Sequence, residues 1–354
     1  MFPVFRLGLV AASALITCAA NGTEINGAGS SAAQPLYAVL AAAYAQSHPM
    51  TLAYQASGSS DGLKKIKANL VDFGASDVAL SASEREAAKL LCFPTAISGI
   101  VPIVNIAGVR KGQLKLTGEV LADIFARKIL KWNDPRLAVL NPGIKLPDQA
   151  ITVIVRSDGS GTTYNFTSYL SKASKDWSAG FGHDFSIKWP AGVVTAKGSG
   201  GVVSTFKRTP GAITYVDFHY VKQDDLNYSM LKNRDGRYVQ PDASGFSAAL
   251  KNSSWSRTGA YEELLTDQAG ASSCPITAGT FILEPRKTSN PEKTIATLKF
   301  FTWAFVQGEA AVGKADFVQL PDKVQGRIFG ELSTVTDNAG APLRWSLSEV
   351  LKLR

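Results

Sequence analysis

A repeated sequence pattern organises this chain. A run of apolar and β-branched residues leads into a short string of glycines and serines, and a helical repeat follows. The stretch 151–166, ITVIVRSDGSGTTYNF, carries the pattern most fully. Residues 151–155 predict a buried strand, Arg156-Ser157-Asp158-Gly159-Ser160-Gly161 is turn chemistry, and 162–174 predicts a helix with Ser160 as its N-cap. The same order occurs at Gly27-Ala28-Gly29-Ser30-Ser31-Ala32. There Pro35 opens a helix striped by Leu36, Val39, Leu40, Ala43 and Tyr44. It occurs again around Ser57-Gly58-Ser59-Ser60-Asp61-Gly62, between a short strand at 52–54 and a helix at 63–69. Residues 71–77 predict a strand that ends on the carboxylate of Asp77. A fourth glycine-rich run, 198–201, precedes a helix at 202–207; it has no charged companion and reads as structural. Further strands are predicted at 100–106, 212–216 and 280–283, with helical regions beginning near 116 and 295. This alternation implies an α/β chain with mainly parallel sheets covered by helices.

With 354 residues, 45% hydrophobic and 19% charged, the chain is long enough for two lobes with their own cores. The first twenty residues stand apart. Arg6, an apolar run at 7–16 and Cys18-Ala19-Ala20 predict a signal peptide at 1–20, too short to span a bilayer. Thr17 fits a lipoprotein signal before Cys18 poorly. Export would leave Cys92 and Cys274, an even pair in an oxidising compartment. A disulfide is expected, with two free buried thiols as the alternative.

Removing Arg6 takes the formal charge from +8 to +7. The basic residues are scattered, and the densest run, 110–131, lacks interleaved aromatics, so no nucleic-acid partner is expected. A mild positive field would favour small anions. The three histidines, His48, His183 and His219, have no metal-ligand spacing and adjoin none of the three loops in sequence; no metal or cofactor is expected. Asp217 and His219 read as the solvent face of a strand.

Each strand–loop–helix unit aims free N–H groups and the positive end of a helix dipole at one point. The fork of Arg156 could grip two oxygens of an anion there, with Asp158 holding it in place. Taken alone, this stretch could equally be a Gly-Ser turn with a surface ion pair. Three such units in one chain could serve a single ligand.

Taken together, these strings resemble the periplasmic phosphate-binding proteins of Pst-type ABC importers. The resemblance runs through Gly27-Ala28-Gly29, Gly58-Ser59-Ser60, Val71-Asp72-Phe73-Gly74-Ala75-Ser76-Asp77, Lys131-Trp132-Asn133-Asp134, Asp158-Gly159-Ser160-Gly161-Thr162, Pro210-Gly211-Ala212-Ile213 and Pro275-Ile276-Thr277. It implies a type II periplasmic binding protein: two α/β lobes, a ligand cleft between them, and crossover strands as hinge. Lobe one would be 21–104 with 271–354, and lobe two 105–270. The implied ligand set is the loop N–H groups of Ser30, Ser31 and Ala32, the hydroxyls of Ser31 and Ser59, and the carboxylate of Asp77. From the other lobe come the Arg156 guanidinium oriented by Asp158, and the N–H groups and hydroxyls of Ser160, Gly161 and Thr162. The implied partners are inorganic phosphate and the membrane permease of an ABC importer; the implied state is a periplasmic monomer without catalytic residues.

The chemistry is consistent with that set. An ionised Asp77 only accepts, so it could take the proton of monohydrogen phosphate, which sulfate lacks at neutral pH. A missing hydrogen bond at such a site can cost ~10⁴-fold in discrimination. Two other readings compete: a secreted phosphate-ester hydrolase, and a binder of another oxyanion such as sulfate. Two departures stand out. Ala32 replaces the family's usual Phe, and Asp61 stands where Gly is usual. A tail at 344–354 carries a short amphipathic turn at Leu347, Val350 and Leu351.

Overall fold

The computed structural model describes residues 22–351; the expected signal peptide lies outside them. An eight-stranded sheet runs through the molecule. Its strands are β1 (Thr23–Gly29), β2 (Met50–Ala56), β3 (Phe73–Ser76), β4 (Leu90–Val104), β5 (Thr152–Arg156), β6 (Val194–Ala196), β7 (Ala212–Asp217) and β8 (Thr277–Pro285). Their order across the sheet is β2-β1-β3-β8-β4-β7-β5-β6. β1 is parallel to β2 and β3, and β5 is parallel to β6 and β7. β8 and β4 join these two parallel sets through antiparallel ladders.

β4 is the link between the halves. All fifteen of its residues, LLCFPTAISGIVPIV, are buried, as a near-continuous apolar run demands. Its first part, Leu90 to Gly99, pairs with β8; Ile100 to Val104 pairs with β7. The expected strand at 100–106 is therefore only the far end of a longer one.

Two clusters of buried residues pack against the sheet, and the first also takes in Ile154, Val202, Phe206 and Val216 from the second half. In the first, Phe301 meets Tyr37, Phe73 and Phe93 edge-on, with ring centroids 5.2–6.0 Å apart. In the second, Phe166 stacks on Tyr215 at 4.1 Å and meets Phe125 at 4.7 Å. The helices Ala243–Asn252 and Ser254–Thr258 pack with the first core, through Phe246, Leu250 and Trp255. The tail forms a short helix, Leu347–Leu351, whose Val350 is buried in that same core.

The expected disulfide is not formed: Cys92 and Cys274 are free and buried. Strand register explains this. Cys92 lies opposite Leu283, whereas Cys274 lies three residues before Thr277, which pairs with Gly99 seven residues along β4. At ~3.4 Å per residue the two are about 20 Å or more apart, beyond the ~7 Å that a disulfide can bridge.

Three helices start where parallel strands end: α1 (Gln34–Tyr44), α2 (Ser59–Lys67) and α3 (Gly161–Ala173). A fourth, α4 (Gly198–Lys207), follows β6. A fifth, α5 (Phe218–Gln223), follows β7 directly. Their N-termini converge between the two halves.

Candidate anion-binding site

In the first half, β1 ends at Gly29 and the chain turns through three small residues. The N–H of Ser30 donates to Ala75 O at 3.0 Å, which ties the turn to β3. Ser30 Oγ accepts from the N–H groups of Ala32 and Ala33 at 3.2 and 3.3 Å, leading the chain into α1. Tyr54 clamps the same turn by donating to Ser30 O at 2.7 Å. At the second loop, Gly58 has φ +101°, so the reversal is complete one residue before α2 starts at Ser59. Ser59 Oγ accepts from the N–H of Asp77, just past β3, at 3.3 Å.

In the second half, β5 delivers Arg156 at its last residue. The Arg156 guanidinium holds both oxygens of Asp158: Nε donates to Oδ1 at 2.8 Å, and Nη2 pairs with Oδ2. The N–H of Gly198 adds a third bond to Asp158 Oδ1 at 2.9 Å. This arrangement turns the remaining edge of the guanidinium toward the interior, where Nη1 reaches Ser199 Oγ at 3.5 Å. Ser160 caps α3, its hydroxyl accepting from the N–H of Thr163 at 3.2 Å.

The two halves meet through these same groups. Gly161 N–H donates to Ser59 Oγ at 3.1 Å, and Ser60 N–H donates to Gly159 O at 3.2 Å. Thr162 Oγ1 donates to Asp77 Oδ2 at 3.4 Å, and Asn165 holds Asp77 O at 2.7 Å. Ser31 Oγ accepts the N–H of Ser199 at 3.0 Å, and Tyr220 OH donates to Ser31 O at 2.8 Å. Ser31, Ser59, Asp77, Arg156, Ser160 and Thr162 are all buried. The site is a shut, buried polar seam between the two halves.

Its charges are uneven. Burial pushes the Asp77 carboxyl up; the Ser30 hydroxyl, the Arg156 charge, and the Thr280 and Thr162 hydroxyls only partly offset that. Burial also opposes ionisation of Asp158, but the hydrogen bonds and charge of Arg156 outweigh it and hold Asp158 below the usual carboxylate range. The pair Arg156–Asp158 is thus a fixed ion pair, while Asp77 is a buried acceptor among hydroxyl donors.

A family model described as PBP superfamily domain matches residues 17–307. The phosphate-binding protein PstS of Pasteurella multocida (strain Pm70) is 43% identical over 321 residues, covering 91% of this chain and 93% of that protein. PstS of Haemophilus influenzae (strain ATCC 51907 / DSM 11121 / KW20 / Rd) is 42% identical over 315 residues, covering 89% and 94%. The chain belongs to the PstS family of the PBP superfamily. Solved structures show the same fold. A phosphate-bound high-affinity periplasmic phosphate-binding protein, PfluDING, superposes with TM-score 0.69 at 22% identity, over 94% of this chain and 98% of that one. A phosphate-binding protein from Stenotrophomonas maltophilia does so with TM-score 0.66 at 20% identity, over 90% and 96%. The fold is therefore the two-lobed α/β architecture with crossover strands between the halves.

Within that PstS-type frame, the residues named from sequence come together, with three changes of role. The N–H groups of Ser30, Ala32, Ser160 and Gly161 are all taken in this shut seam, by Ala75 O, Ser30 Oγ, Phe185 O and Ser59 Oγ, and Ser30 shapes the turn and lies near Asp77 with its hydroxyl. The run at 198–201 is not merely structural. Its companion is Asp158, and Ser199 bridges Ser31 and Arg156. Asp217 is not on a solvent face: it ends β7, caps α5 by accepting from His219 N–H at 2.9 Å, and is buried. The strand–loop–helix pattern could have flagged Ser199; nothing local flags Asp217. Asp61 points outward, pairing with Lys65 at 2.9 Å, so its charge stays out of the seam.

Proposed function

We propose that this chain is a receptor for inorganic phosphate that closes around the anion and delivers it to an ABC-type membrane importer from the periplasm. The observation that carries this reading is the buried carboxylate of Asp77 among serine and threonine hydroxyls and helix-start N–H groups from both halves, opposite a guanidinium fixed by Asp158. Helix N-termini and Arg forks suit a tetrahedral oxyanion. A carboxylate acceptor suits one that still carries a proton. The names of the PstS relatives support phosphate as the ligand.

The ligand set is Ser31, Ser59, Asp77, Arg156, Ser160, Gly161 and Thr162, with Ser30, Ala32, Asp158 and Ser199 shaping it. Lobe one would comprise 21–104 and 271–354, and lobe two 105–270. The protein would act as a monomer, and the N-terminal signal supports export.

Hydrolysis is the weaker reading. The His48 ring bonds to Ser47 and Tyr44 O, the His219 ring to Ala315 O and Gln223, and the His183 ring packs on Tyr164. An activated serine needs a base in reach, and none of these rings offers one to Ser31, Ser59 or Ser160. Titration calorimetry with phosphate and sulfate tests the proposal. Phosphate should bind at least ~10³-fold more tightly than sulfate, and Asp77→Asn should shrink that ratio to about tenfold or less. Equal affinities in the natural protein would defeat the assignment.

A further inference from the structure

Beside Asp77, where β4 and β8 pass the seam, lies a small, partly open chamber with room for about one water-sized group. It is lined by Asp77, Thr162, Ala32, Ser98, Ile100 and Asp217, with β8 and Phe317 completing the wall. It holds a second carboxyl, and the two come from opposite halves: Asp77 from the end of β3, Asp217 from the end of β7. Asp217 is 4% exposed and Asp77 6%. One oxygen of Asp217 is occupied by the His219 N–H. The buried Ser98 hydroxyl lies beside it without a hydrogen bond of good geometry.

We propose that Asp217 is an affinity-determining residue of the anion site: it joins the closed seam as a neutral carboxyl, and its loss of a proton ends tight anion binding on the alkaline side. This rests on the receptor reading above.

The physical case is one of charge. Two ionised carboxylates facing one small, largely buried chamber repel each other and any anion between the lobes. Among the described residues no guanidinium or ammonium pairs with Asp217. The groups that act on it are Asp77 across the chamber, Asp316 on the segment before Phe317, and the His219 N–H and nearby Tyr220 from its own helix. β4 and β8 line the chamber with Ser98, Ile100, Ala278, Gly279 and Thr280. The cation of the seam, Arg156, acts on Asp77 and is already paired with Asp158. Burial, with the charges of Asp77 and Asp316 adding to it, pushes Asp217 up to about 8, against the weaker pull of the His219 N–H and Ser98. The sign follows. Below that point Asp217 is neutral and adds no repulsion; above it a negative charge appears beside Asp77. Tyr220, which burial pushes up to about 12, does not titrate in the same window. Phosphate itself is mainly the dianion from pH 7.5 upward, so its own titration adds little there.

The test is phosphate affinity by calorimetry at pH 7.5 and pH 9.5, in the natural protein, Asp217→Asn and Asp217→Ser. Both replacements keep an acceptor for the start of α5, so the pair guards against one of them failing to fold. Binding to the natural protein should weaken at least tenfold between the two pH values, and to either variant less than threefold. Coincident pH profiles, or no weakening in the natural protein, would overturn the role of Asp217 while leaving the receptor reading intact. Absence of phosphate binding at pH 7.5 would remove the receptor reading and this inference with it.

Discussion

Ser59 Oγ accepts the N–H of Gly161 at 3.1 Å, so the first turn of one helix meets the first turn of another from the opposite half. There is no room for a side chain between them. A Cβ on Gly161 would lie 2.6 Å from Ser59 Oγ and 2.8 Å from Asp77 Cβ. Gly161→Ala should therefore leave each half folded and hinder closure. Overpacking of this kind costs ~1–3 kcal/mol, so phosphate affinity should fall about 10- to 100-fold. Thermal melting without phosphate should move by no more than ~2 °C, and scattering should show less compaction on phosphate addition than in the natural protein. An alanine variant that binds and compacts normally would show that the halves do not close at this contact.

Arg156 illustrates why type matters as well as charge. Its Nε and Nη2 hold Asp158 while Nη1 stays turned inward to Ser199. Lysine keeps the charge and loses the fork. Charge-assisted hydrogen bonds contribute ~1.5–3 kcal/mol each, so Arg156→Lys should weaken phosphate binding about 10- to 100-fold. Asp158→Asn should weaken it less, because the guanidinium keeps its charge and loses only its brace. Calorimetry on the two variants decides the order; the reverse order would mean that Asp158, not Arg156, governs the anion.

The local part of this design could be read from sequence, and the long-range part could not. Strand, small-residue loop and helix start are adjacent in the chain. Pro35, Gly58, Ser160 and the β-branched run at 151–155 therefore announced three of the four loops. The convergence of Ser31, Ser59, Asp77 and Arg156 came only with the family resemblance, since no spacing joins residues 125 positions apart. What escaped depended on register and packing. Cys92 and Cys274 sit on neighbouring strand paths but at opposite ends of them. Asp217 looked like the polar face of a strand because alternation cannot tell a solvent face from a chamber roofed by the other lobe. The 198–201 run lacked a charge of its own because Asp158, forty residues away, supplies it.

The two thiols give a direct test of the corrected pairing. Burial pushes both Cys92 and Cys274 up to about 12, so each is a neutral thiol with little nucleophilic character at neutral pH. The folded protein without residues 1–20, and so without Cys18, should resist alkylation by iodoacetamide over hours, and once denatured it should take two labels without prior reduction. Reductant should leave the melting temperature unchanged within ~1 °C, whereas loss of a native disulfide typically costs ~2–5 kcal/mol. No labelling of the denatured protein until reductant is added would restore the disulfide.

Selectivity between oxyanions should depend on pH through Asp77. Its carboxyl is raised by burial, so it takes up a proton at a higher pH than an ordinary aspartate. Ionised, it accepts the phosphate proton and repels a sulfate oxygen. Protonated, it becomes a donor and can bond to either anion. The ratio of phosphate to sulfate affinity should therefore be greatest while Asp77 is ionised and shrink as acid protonates it, at a higher pH than for an ordinary aspartate. The change should come mainly from stronger sulfate binding, because phosphate keeps its other donors. In Asp77→Asn, whose amide presents a donor at every pH, the ratio should be low and change only with phosphate's own protonation, which both proteins share. Competition titrations at pH 8, 6 and 5 on both proteins measure this. A ratio in the natural protein that holds constant or grows on acidification would mean that the proton on phosphate is read by some group other than Asp77.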